Sequence, residues 1–76
     1  MTELEIKLKS LGFNKYKEQN GDIYYEKEIL VFALNSDCNK IKKIYTVHSE
    51  GYDTFKLSNL FATFANDLKE LKKYEL

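Results

Sequence analysis

The chain has 76 residues, twelve lysines and twelve acidic residues, no arginine, one cysteine and one histidine, for a net charge of zero. That length makes one small domain, residues 1–76, burying only about 60% of the surface of its unfolded chain. A lone cysteine closes no intrachain disulfide, one Cys and one His make no metal set, and balanced charge gives no overall pull toward nucleic acid or anionic lipid.

Residues 3–11 read first as a strand, because Leu4, Ile6 and Leu8 alternate with charges. Three local signals favour a helix instead. Thr2 and Glu5 have capping-box spacing, Glu3–Lys7 and Glu5–Lys9 are i,i+4 pairs with the acid first, and Gly12 stands where a left-handed residue ends a helix. Phe13 can then fold back onto Leu8.

Asn20-Gly21 is the preferred pair for a two-residue type I′ turn, so it predicts a hairpin with strands over 14–19 and 22–26. A regular register pairs Lys17 with Tyr24, Tyr16 with Tyr25 and Lys15 with Glu26. Tyr16, Ile23 and Tyr25 then share a dry face, and Lys15, Lys17, Tyr24 and Glu26 a wet one. Ile29–Leu34, an uninterrupted apolar run, predicts the central strand. A tight turn at Lys27-Glu28 puts Leu30, Phe32 and Leu34 on the dry side, and turns Ile29, Val31 and Ala33 toward Tyr24. Residues 35–40 are loop-forming, and 41–48 predict a fourth strand with a bulge near Lys42-Lys43.

After a connection at Ser49–Lys56 with Gly51 at its tip, Leu57, Leu60, Phe61, Phe64, Ala65, Leu68 and Leu71 form a helical stripe. Ser58 is its expected N-cap. The expected fold is an α+β two-layer sandwich in the order α-β-β-β-β-α, an antiparallel meander covered mainly by the C-terminal helix. Glu3 and Glu5 stand where a signal peptide is basic, and no apolar run reaches the length of a membrane span. The expected compartment is the cytoplasm. Lysine without arginine, with abundant Asn, Ile and Tyr, fits an AT-rich genome such as that of a bacterium, or of a phage or mobile element it carries.

Catalytic chemistry has little to work with. Cys38 and His48 lie at opposite ends of one predicted hairpin, about 25–30 Å apart at the rise of a strand. His48, Glu50 and Asp53 match no metal spacing, and no phosphate loop or nucleophile elbow is present. The expectation is therefore a protein with no catalytic residues, no metal and no cofactor. Its expected function is protein–protein interaction, through Tyr24, Ile29, Val31 and Ala33, with a second copy in a homodimer or with a host protein. On that reading Val31→Lys breaks association and leaves the fold intact. The alternative is a nucleic-acid-binding regulator that uses Lys15, Lys17, Tyr24 and Lys42, tyrosines stacking bases while lysines follow phosphates. The structural alternative for six tyrosines is that they fill a small core and keep their hydroxyls wet.

Overall fold

The structure, a computed structural model, describes residues 1–47 and 54–76. Helix α1 (Glu3–Ser10) leads into four strands, β1 (Asn14–Gln19), β2 (Asp22–Lys27), β3 (Leu30–Leu34) and β4 (Ile41–Thr46). Helix α2 (Thr54–Leu71) follows, ending in a 3-10 turn over Lys72–Tyr74. The strands form one antiparallel meander in the order β1-β2-β3-β4, the expected α+β arrangement.

Helix α1 is fixed at both ends by its own sequence. The Thr2 hydroxyl accepts from the Glu5 amide, while the Glu5 carboxylate accepts from the Thr2 amide, completing the capping box. At the other end the Phe13 and Gly12 amides donate to the Leu8 and Lys9 carbonyls, a Schellman closure that needs the φ of +94° at Gly12. Two charged residues of this helix find partners outside it. Lys7 pairs with Glu70 of α2 at 2.5 Å, and Glu5 accepts a 2.6 Å hydrogen bond from the Tyr25 hydroxyl.

Both helices lie on one face of the sheet. Leu4 and Leu8 of α1 and Phe64 and Leu71 of α2 join Ile23, Tyr25, Leu30, Phe32 and Leu34 in one buried cluster. Phe13 links the layers, its ring edge-on to Phe32 at 5.0 Å and to Phe64 at 5.8 Å. Lys27 seals the seam, donating to the Leu11 carbonyl at 2.9 Å with its ammonium over the Phe64 ring.

Several expectations need correction. The first hairpin is not regular: Lys15 pairs with Tyr25 and Lys17 with Tyr24, leaving Tyr16 as the extra residue of a bulge. Lys15 is thereby moved to the helix side, and Tyr16 to the opposite face. Strand β1 is polar and exposed along its whole length, so no buried alternation holds the regular register. Ile29 is not in a strand either. The chain reverses through Glu28 and Ile29, with Glu28 at φ +55°, and Ile29 drops into the helix-side core. Strand β4 ends at Thr46, two residues early, and α2 begins at Thr54, so Ser58 lies inside the helix rather than capping it. Ala65, expected in the apolar stripe, is exposed.

The predicted irregularity in β4 does occur: the register slips between Ala33 and Leu34, with Lys42 as the extra residue. The slip brings Ile41 and Ile44 to the same side of the sheet, where Ile41 is buried in the core cluster and Ile44 packs against it.

Candidate functional site

The titratable groups on the helix side are engaged in structure. Glu5 accepts from the Tyr25 hydroxyl and from Thr2, and the Thr2 hydroxyl also donates to the Cys38 carbonyl at 2.6 Å. The hydrogen bond from Tyr25 holds the Glu5 carboxyl below its ordinary range, while burial and then Glu5 push the Tyr25 hydroxyl upward. Burial likewise raises the thiol of Cys38, which is free, buried and at φ +58°. A raised thiol keeps little of the thiolate that nucleophilic chemistry requires. His48, Glu50 and Asp53 lie outside the described residues. Among the described residues, no group of three or more His, Cys, Asp or Glu side chains could hold a metal ion, and no buried polar side-chain atom lacks a partner.

The opposite face of the sheet carries no helix. Its register places Tyr24 beside Ala33 and Glu26 beside Val31, with Tyr45 and Lys43 beyond them on β4. Val31 and Ala33 are nevertheless only 1% and 4% exposed. Their cover is a layer of tyrosines. Tyr16, brought over by its bulge, has its ring 6.1 Å from that of Tyr24, and its hydroxyl lies close enough to that of Tyr45 for the two to interact. Strands β1 and β4 are about 14 Å apart at the usual strand spacing. Tyr16 and Tyr45 can meet only by leaning inward over β2 and β3. Burial, and then the interaction with Tyr45, push the Tyr16 hydroxyl up to about 12.

Lysines complete this layer. The Lys17 ammonium stands 4.5 Å from the centre of the Tyr24 ring and 5.6 Å from that of Tyr16, and Lys43 stands 5.4 Å from Tyr45. Lys42, projecting from its bulge, pairs with Asp22 at 2.9 Å. The face therefore has a tyrosine floor, lysines along both outer strands, and Glu26 on the central strand β2 between Asn14 and Val31.

The candidate residues fall out as follows. Of Tyr24, Ile29, Val31 and Ala33, only Tyr24 remains at a surface; Ile29 is in the main core, and Val31 and Ala33 are under the tyrosines. An apolar patch open to a partner is thus not what this face presents. Of Lys15, Lys17, Tyr24 and Lys42, three share the open face, while Lys15 turns to the helix side and pairs with Glu18 at 3.7 Å. Tyr16, Tyr45 and Lys43 belong to the site and were absent from both expected sets. No sequence signal marks the β1 bulge that assembles them.

Among the described residues no helix is long and apolar enough to cross a membrane. Comparison with known proteins finds no matching family model, no similar curated protein and no similar solved structure.

Proposed function

We propose that the chain is a small non-catalytic protein–protein interaction module whose contact surface is the tyrosine–lysine face of the sheet. One observation carries this reading: among the described residues, three tyrosines and three lysines are gathered on the sheet face opposite the helices, with Tyr16 39% exposed. Tyrosine is favoured at protein contacts because a large, rigid ring gives contact area at small entropic cost and its hydroxyl tolerates water. The composition fits a phage or mobile-element accessory protein of an AT-rich bacterium, acting in the cytoplasm on a host protein.

The test is recovery of partners from a bacterial lysate by the wild-type chain and by the double variant Lys17→Glu, Lys43→Glu. The proteins retained by the first should be lost by the second while its circular dichroism is unchanged. Identical recovery by both would refute the assignment of this face.

A second reading, single-stranded nucleic acid, is favoured by the alternation of Lys17, Lys42 and Lys43 with tyrosines, a pattern suited to phosphates and bases. Its mark is a steep fall of oligonucleotide affinity with salt.

A further inference from the structure

We infer that the occupant of the tyrosine–lysine face is a narrow, extended, acidic segment of a protein partner. This rests on the function proposed above and goes further by naming the partner's chemistry. Size is the first argument. Four strands of five or six residues offer about 350–400 Å² on one face, roughly half of the 800 Å² that each partner contributes to a stable globular interface. An extended segment lying across the strands fills such an area, whereas the broad surface of a folded protein overhangs it.

Charge is the second argument. Lys17 stands on one outer strand and Lys43 on the other, so an anionic chain crossing the sheet meets an ammonium group at each margin, Lys42 being already paired with Asp22. A second copy is disfavoured in this role by the same charges. Stacked face to face, two sheets would bring Lys17 and Lys43 of both copies into one shallow layer, with Lys42 already held by Asp22 and one Glu26 from each copy as the remaining acid.

Ring occupancy separates a carboxylate from a nucleobase. The Lys17 ammonium is already over the Tyr24 ring at 4.5 Å, and Lys43 over that of Tyr45 at 5.4 Å. A base can stack on those rings only after the ammonium groups leave them. A carboxylate binds the ammonium from its solvent side and keeps the cation–π contact intact. Glu26, on the central strand β2 beside Val31, sets where the acidic side chains cannot sit, and so favours carboxylates at the two margins.

The experiment titrates isotope-labelled full-length chain with decaglutamate, decalysine and octathymidylate, following amide shifts. Decaglutamate should shift Lys17, Tyr24, Lys43 and Tyr45, and the double variant Lys17→Glu, Lys43→Glu should weaken it by about tenfold or more. Decalysine should leave the face unchanged. No shift at millimolar decaglutamate, shifts confined to other surfaces, or equal or tighter binding of octathymidylate would each overturn the inference. So would a mass that doubles with concentration in the wild type but not in the double variant. If the wild type recovers a partner through this face while decaglutamate leaves it untouched, the acidic segment fails and the interaction module stands. If the double variant recovers the same partners, the module itself fails.

Discussion

Phe32 and Val31 are neighbours on β3, at 0% and 1% exposure, yet different material covers them. Phe32 lies under two helices in a layer of leucines and aromatics. Val31 lies under tyrosines and lysine stems from its own sheet. The first face is closed by elements distant in sequence, the second by side chains that lean across the strands. Amphipathic side chains make the second solution possible, because ring and methylene stem exclude water while hydroxyl and ammonium stay in it. The result is a face dry beneath and chemically rich above, in contrast to a helix-covered face that is only dry.

The comparison can be broken from either side, and the largest effect is expected on the helix side. Phe32→Ala removes a fully buried ring that touches Phe13, and should cost about 3–5 kcal/mol, enough to unfold much of a chain this small. Urea denaturation measures it.

Val31→Lys tests the tyrosine cover. A lysine at this buried position must leave water and crowd the rings of Tyr16 and Tyr45, so even with Glu26 as its cross-strand neighbour the substitution should destabilise by about 2 kcal/mol. This reverses the expectation from sequence, in which Val31→Lys spared the fold. A variant as stable as the wild type would show that Val31 is not covered in solution.

Tyr16→Ala should be milder, about 1 kcal/mol, because the side chain is 39% exposed and Tyr24 still shields Ala33. Its signature is alkaline. With the folded hydroxyl raised to about 12, above an ordinary value of 10.0, Tyr16 contributes stability that is present below pH 10 and lost as pH climbs through 12. An absorbance titration should show late-ionising tyrosines, Tyr25 among them, and Tyr16→Phe should reduce their number by one.

The smallest effect concerns the α1 lock. The Glu5 carboxyl is lowered in the fold, so its contribution is present above the unfolded carboxyl value, near 4.5, and is lost as pH falls through the folded value. Glu5→Gln should therefore be less stable than wild type at neutral pH, with the difference closing as pH falls from 4.5 through the lowered folded value. A difference constant from pH 7 to pH 3 would remove the Tyr25–Glu5 bond from this account.

The sequence alone determined whatever is decided over a few residues. The Thr2/Glu5 box, the Gly12 stop and the Asn20-Gly21 turn each satisfy backbone groups within a turn or two, so composition and spacing suffice to read them. The alternation of Leu30, Phe32 and Leu34 likewise settled which side of β3 faces the helices. Only the tertiary structure decided how the other side is closed. Strand β1 is polar on both faces, and no burial pattern within it prefers one register over its neighbour. The shift of Tyr16 to the open face and Lys15 to the helix side follows from contacts with Tyr45 on β4, three strands across, and with Glu18 at the edge. Such choices depend on which side chains meet over the sheet, and distance along the chain carries no record of that.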